Sequence, residues 1–340
     1  MSKNPINMNK PSALCLMEPQ MFEDLFSEED KARLNSMLDF SESPLAPIDF
    51  VNSERFFNDV EVIVSTWGLP PMDDAFLKRF PDLKILLYTA GSVKEKVTSE
   101  SWDRPVRVVT AAAANAVPVA EFAFAQIILG LKNVWSAAAL TRREQAFVAA
   151  PTPAAGTFHS TVALLGLGHI GQMVASRLKS LSVNVLAYDS CIEESVAADL
   201  GVQLCSMEDA FRSADVVSCH LPFLPVTSKV IRRQHFMSMR PQAVFLNTAR
   251  GEVLDEGELF DALQERPDVT AVLDVLQSEA PGSTSPLFAL PNAVITPHIA
   301  GSLGREWQRL GATIVDEAER YVSGQTLLHE LTLEKSKTSA

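Results

Sequence analysis

One stretch constrains this chain more than any other: Ser160-Thr-Val-Ala-Leu-Leu-Gly166-Leu-Gly168-His-Ile-Gly171, followed 18 positions later by Asp189. An apolar, strand-forming run enters a glycine turn, and a helical pattern leaves it. Gly-x-Gly-x-x-Gly alone is weak. With a strand before it, a helix after it and an acid at this distance, it is a dinucleotide-binding fingerprint. Gly166 permits the tight turn, Gly168 lets the backbone approach a pyrophosphate, and Gly171 permits close helix–strand packing. The N–H groups and dipole at the helix start favour phosphate charge. The competing reading, an ordinary glycine-rich βα turn, is disfavoured by the full context.

At 340 residues the chain has room for two domains of ordinary size. Its 47% apolar content excludes a disordered chain, and its net charge of −13 argues against nucleic acid or an anionic membrane as partner. Cys15, Cys191, Cys205 and Cys219 form no Cys-x-x-Cys pair. No disulfide framework or zinc site is therefore expected, and a reducing cytoplasm fits. Residues 1–10 are polar, without the apolar core of a secretory signal. No stretch is expected to approach the roughly 18 apolar residues of a membrane span.

Taken in order, residues 13–17, 60–65, 83–88 and 106–110 read as strands. Helices are expected after Ser27, an N-cap followed by acids, and over 73–80. This alternation implies a parallel α/β domain. The small-residue stretch 111–115 reads as a hinge. One long apolar helix is expected over about 116–142, buried on several sides, and 149–156 as a loop. Beyond the fingerprint, strands are expected at 161–165, 184–188, 214–220, 243–247, 270–275 and 293–296, with helices between them. This rhythm makes a doubly wound sheet, whose ligands bind beyond the carboxyl ends of the strands. Asp189, His220, Arg250, Asp274 and His298 all fall there. A C-terminal helix begins near Gly304, and 334–340 read as a frayed tail.

Asp189 ends the second strand after the fingerprint, where a carboxylate accepts the ribose hydroxyls of NAD. A 2′-phosphate would meet its charge, and Ser190 and Cys191 offer no cation to offset it, so NAD is favoured over NADP. Arg250, in Asn247-Thr-Ala-Arg-Gly251, suits a small carboxylate through its planar fork of donors. A surface ion pair is the ordinary alternative for a lone arginine. His298, in Thr296-Pro-His-Ile-Ala-Gly301, has Glu279 in the preceding loop. A carboxylate orients an imidazole, and the protonated ring can then donate to a carbonyl oxygen as hydride reaches the carbon. His159, His235 and His329 have no such setting.

These stretches, with His220-Leu-Pro-Phe-Leu-Pro-Val-Thr227, Phe236-Met-Ser-Met239 and Leu290-Pro-Asn-Ala-Val-Ile-Thr-Pro-His298, resemble the D-isomer-specific 2-hydroxyacid dehydrogenase family over roughly residues 85–325. The resemblance implies two doubly wound parallel-sheet α/β domains. A Rossmann NAD-binding domain (113–301) is inserted into a flavodoxin-like substrate domain (1–112 and 302–340), and 116–150 form an interdomain and dimerisation helix and loop. It implies a catalytic set of Arg250, Glu279 and His298. Cofactor contacts are implied at Gly166, Gly168, His169, Ile170, Gly171, Asp189, Leu221, Pro222, Thr227, Thr248, Ala249, Asp274 and Gly301. A loop of backbone N–H groups at Ala90, Gly91 and Ser92 is implied to hold the substrate carboxylate together with Arg250. No metal is implied, and a homodimer is.

Two features depart from the family pattern. The family often writes Pro-Glu-Pro where this chain has Ser278-Glu279-Ala280. An aspartate commonly follows the substrate-loop glycine, where this chain continues Ser92-Val-Lys-Glu. The longer phosphoglycerate dehydrogenases carry a further C-terminal regulatory domain, so serine feedback is not expected here. Trp67, at the end of a strand, reads equally as a pocket wall or a packing residue. The resulting expectation is hydride transfer between NAD(H) and a small 2-hydroxy or 2-oxo acid. The alternatives are a non-catalytic, corepressor-like protein that senses NAD, and an oxidoreductase acting on phosphite or formate.

Overall fold

The central strands of this chain are short runs with no polar face, such as Val-Ile-Val-Ser at 62–65 and Val-Phe-Leu-Asn at 244–247, buried at every position. Parallel sheets covered by helices on both faces require this pattern. The computed structural model describes residues 10–40, 42–147, 153–279 and 284–337. The chain divides into two units, residues 1–115 with 302–340, and residues 116–301.

The first unit holds strands β1 (Ser12–Leu16), β2 (Asp39–Phe40), β3 (Val62–Ser65), β4 (Ile85–Tyr88), β5 (Arg107–Thr110) and, from the C-terminal segment, β13 (Glu330–Leu331). Their order is β13-β5-β4-β3-β1-β2, all parallel except the β13–β5 pair. Without β13 this is the flavodoxin-like order. The helix Glu28–Met37 carries a capping box between Ser27 and Asp30, and Asp73 caps Asp74–Arg79. The C-terminal helix Trp307–Val322 buries Leu310, Ile314, Val315 and Ala318 against this sheet, with Trp307 and Tyr321 packed at the margin.

The second unit holds β6 (Phe158–Leu165), β7 (Ser182–Tyr188), β8 (Gln203–Leu204), β9 (Val216–Cys219), β10 (Val244–Asn247), β11 (Thr270–Leu273) and β12 (Ala293–Ile295). All pairs are parallel, in the order β12-β11-β10-β9-β6-β7-β8. This is the doubly wound dinucleotide-binding order extended by one strand, and the order reverses between β6 and β9.

Several expectations are corrected. The hinge stretch is helical from Ala112, the start of the helix Ala112–Leu131. The single helix expected to Arg142 is two, because Asn133 adopts a left-handed φ of 51° before Val134–Glu144. Asn133 is buried, its N–H bonds the Gly130 carbonyl at 2.8 Å, and its side chain reaches Gln242 at 3.2 Å. Helix Ala112–Leu131 is also long and apolar enough, by length and composition, to cross a membrane, contrary to expectation. Its apolarity is accounted for by packing, since Ala120, Ala123, Ile127 and Leu131 sit in one core with Val162, Leu164 and Val216. The supposed C-terminal tail contains the helix Leu333–Ser336, capped by Thr332. Most of the expected 149–156 loop lies outside the described residues.

Candidate active site

The three glycines of the turn divide their work as the fingerprint requires. Gly166 has φ 96°, and a Cβ there would stand 2.9 Å from the His220 carbonyl oxygen. A Cβ on Gly171 would stand 2.1 Å from the Gly166 carbonyl oxygen, so the helix His169–Leu178 lies on the turn with no room for a side chain. Gly168 is exposed, and nothing lies within 4 Å of where its Cβ would be. The helix it begins has no side-chain cap. An open glycine at an uncapped helix start fits a pyrophosphate.

Asp189 follows β7. Its Oδ2 accepts from the Leu167 N–H at 2.7 Å, and its Oδ1 accepts from Cys191 and Ile192 at 2.8 and 2.9 Å. The acid thus ties the glycine turn to the β7 exit. A carboxylate offers about four acceptor positions, so roughly one hydroxyl can still be taken. The sequence reading has it accepting the ribose hydroxyls without this second duty.

At the switch point, His220 is buried after β9, with Nε2 2.9 Å from the Ser218 hydroxyl. Burial pushes its pKa down to about 4, so the ring is neutral. Leu221 and Pro222 follow. Thr227 donates its hydroxyl to the Pro222 carbonyl at 2.6 Å, and its N–H bonds the Leu224 carbonyl at 3.0 Å. Both Thr227 donors are therefore engaged within the loop. Thr248, after β10, is buried with a hydroxyl that lacks a partner among the described residues, and Ala249 beside it donates its N–H to Asn247 Oδ1 at 3.0 Å.

Arg250 leaves β10 on a braced turn. Asn247 donates through Nδ2 to the Arg250 carbonyl at 2.9 Å. Among the described residues the Arg250 guanidinium has no carboxylate partner, and its Nη1 donates only to the Ala249 carbonyl at 2.6 Å. A Cβ on Gly251 would fall 2.1 Å from the Leu276 carbonyl carbon, so the Arg250 turn lies directly on the loop after β11. Glu256 and Leu254 hold that loop through Gln277 at 2.7 Å each.

The same loop carries Glu279, whose Oε2 lies 2.7 Å from His298 Nδ1, both side chains about half exposed. His298 itself has φ 53°, a left-handed conformation that costs a residue with a Cβ roughly 1–2 kcal/mol. Asp274 holds it there. The His298 N–H donates to the Asp274 carbonyl at 2.9 Å, and the buried carboxylate accepts from Thr296 Oγ1, Ile299 N and Ala300 N at 2.5, 2.9 and 2.8 Å. Asp274, expected beside the nicotinamide, here shapes the histidine loop. Strain at a functional residue, held by its surroundings, is a frequent property of active sites. Sequence reasoning missed Asn247, Glu256 and the bonds of Asp274. An asparagine or aspartate at a strand exit, apt to bond nearby backbone, was the available signal.

In the first unit, the N–H groups of Ala90, Gly91 and Ser92 after β4 donate to nothing among the described residues, while the Ala90 carbonyl is fixed by Ala111 at 3.0 Å. Gly301, the last residue of the second unit, follows the buried Ala300.

An uncapped glycine turn at a doubly wound switch point, with an acid at the neighbouring strand exit, defines a dinucleotide-binding α/β protein. A sequence model described as "D-isomer specific 2-hydroxyacid dehydrogenase, NAD binding domain" matches residues 124–300. The chain therefore belongs to the D-isomer-specific 2-hydroxyacid dehydrogenase family, and its second unit is that family's NAD-binding domain. D-3-phosphoglycerate dehydrogenase of Mycobacterium tuberculosis is 32% identical over 75% of this chain and 48% of the relative. The chain spans about half the length of the phosphoglycerate dehydrogenases it matches first. Glyoxylate reductase of Korarchaeum cryptofilum is 28% identical over 85% of this chain and 87% of its own length. The NAD-complexed D-isomer-specific 2-hydroxyacid dehydrogenase of Lactobacillus delbrueckii ssp. bulgaricus has the same fold. Its TM-score is 0.77 at 20% identity, over 94% of this chain and all of the other.

Proposed function

We propose that this chain is an NAD-dependent oxidoreductase acting on a small 2-hydroxy or 2-oxo acid. The observation that carries the reading is the His298–Glu279 pair at 2.7 Å on a loop held by Asp274, with the Arg250 turn packed on the loop that leads to Glu279 and its guanidinium without a carboxylate partner among the described residues. Bound NAD supplies the hydride donor or acceptor. The Arg250 guanidinium takes the substrate carboxylate through two parallel hydrogen bonds, and the family resemblance assigns a carboxylate-binding role to the N–H groups of Ala90, Gly91 and Ser92 as well. With Nδ1–H donating to Glu279, Nε2 is left for the substrate. In reduction the protonated ring gives its Nε2 proton to the carbonyl oxygen as that oxygen gains charge, and in oxidation the neutral ring takes the hydroxyl proton.

A panel of 2-oxo acids with NADH and NADPH, followed by nicotinamide absorbance, tests the reading. Turnover with NADH is expected, with kcat/KM reduced about 10²–10⁴-fold in His298→Ala. Tight NADH binding with no turnover on any acid would instead establish a non-catalytic sensor of NAD.

The same proposal places the protein in a reducing cytoplasm as a homodimer without nucleic-acid or membrane partners. The four free cysteines support the compartment. Phe147, fully exposed after helix Val134–Glu144, supports a partner surface on the 116–150 segment. Sedimentation at low and high concentration checks the assembly.

A further inference from the structure

The first unit carries an aromatic pair that the chemistry above does not use. Trp67 stands at the tip of the turn that leaves β3, closed by the Leu69 N–H on the Thr66 carbonyl at 3.2 Å, with Gly68 at φ 94°. Its side chain is 44% exposed, which removes the reading of a buried packing residue. Its ring centroid lies 6.4 Å from that of Trp307. The Trp307 Nε1–H is spent on the Ser302 carbonyl at 2.7 Å, so this ring presents only apolar and π surface.

A closed circuit of contacts ties the pair to the loop at 90–92. Ser302 donates its N–H to Asn115 Oδ1 at 2.9 Å, and Asn115 Nδ2 lies 3.5 Å from where a Cβ on Gly91 would be. On the other side, Ser65 of β3 is in register with Tyr88 of β4. Thr89 N bonds the Ser65 carbonyl at 2.7 Å and the Thr66 hydroxyl reaches the Thr89 carbonyl at 3.3 Å. Trp67 and Ala90 each follow directly on this bonded pair of threonines. The 90–92 loop is thus tied to Trp67 along the sheet and to Trp307 through Asn115 and Ser302.

From this geometry we infer that Trp67 and Trp307 select a 2-oxo acid whose side chain is bulky and apolar, aromatic or branched, over one that is small, hydroxylated or phosphorylated. This rests on the functional reading above. With the carboxylate on the N–H groups of 90–92, the two tryptophans are the aromatic side chains tied to that loop, and the substituent beyond the keto carbon rests on them. Covering two indole faces by an apolar group removes apolar surface from water on both partners. A phosphate there would lose hydration against the Trp307 ring, whose N–H is already spent.

The test measures kcat/KM with NADH for phenylpyruvate, 4-methyl-2-oxopentanoate, glyoxylate and 3-phosphohydroxypyruvate, on the wild type, Trp67→Ala and Trp67→Phe. The wild type is expected to favour the two bulky apolar acids over glyoxylate by at least about tenfold, the scale of apolar-pocket discrimination. Trp67→Ala should lower that ratio by about tenfold, and Trp67→Phe should keep most of it. Highest activity on 3-phosphohydroxypyruvate, with the exposed Arg305 as its cation, overturns the inference. So does a ratio unchanged in Trp67→Ala. In both cases turnover persists and the oxidoreductase reading stands, whereas silence of the wild type on every acid overturns both.

Discussion

The residues at the strand exits divide between those that face chemistry and those that hold their neighbours in place. His298 is of the first kind in the function proposed above, and Asp274 spends its carboxylate on the loop that strains the histidine into the left-handed region. His220 shows how burial decides protonation. Its folded pKa of about 4 lies below the ordinary histidine value, so between pH 6.5 and 4 the unfolded chain binds the extra proton. Stability from this group is therefore full above pH 6.5 and is lost as pH falls toward 4, by at most about 1.4 kcal/mol per unit. Urea unfolding of the wild type and His220→Asn across that window should show a shallower acid slope in the variant. Equal slopes would mean that the wild-type ring is charged in the fold.

Among the elements, the break at Asn133 separates two helices that a continuous apolar pattern had run together. Asn133→Ala should lower stability by about 1–2 kcal/mol through its left-handed φ, plus the lost bond to Gln242, while Asn133→Gly should cost less. Thermal melts of the two variants side by side check the ordering. The longer strands were legible because runs such as 161–165 and 243–247 are apolar throughout and end in turn chemistry. The strands β2, β8 and β13 have two residues each. Two residues carry no periodicity, and these form only because a neighbouring strand offers its edge. The proposed catalytic residues could be singled out for a similar reason. Arg250 and His298 each follow a recognisable strand, and in a parallel sheet all such exits share one edge. The duties of Asp274 and Asn115 were not, because their partners are fixed by where distant loops close. The limits of the long helix were also hidden, since asparagine at 133 marks a left-handed residue only once its burial and its contact with Gln242 are known.

At the scale of the whole chain, the two units each have their own sheet and core, and the fingerprint belongs to one of them. A ligand that binds only the folded form at a hundred times its Kd stabilises by about 2.7 kcal/mol. NADH should therefore raise the melting temperature, and amide hydrogen exchange should show the gain in protection within residues 116–301. Protection confined to residues 1–115 would contradict the assignment of the NAD-binding unit.

The three backbone N–H groups gathered by Asp189 bear on any attempt to redesign this protein for the phosphorylated cofactor. The obvious exchange, an uncharged or basic residue in place of the acid, would remove the repulsion of a 2′-phosphate. It would also strand the donors of Leu167, Cys191 and Ile192, and so loosen the glycine turn on which either cofactor depends. Cofactor choice and scaffold are here one and the same side chain. A workable redesign must first supply new acceptors for those three groups, by rebuilding the β7 exit as a whole, before it changes the charge.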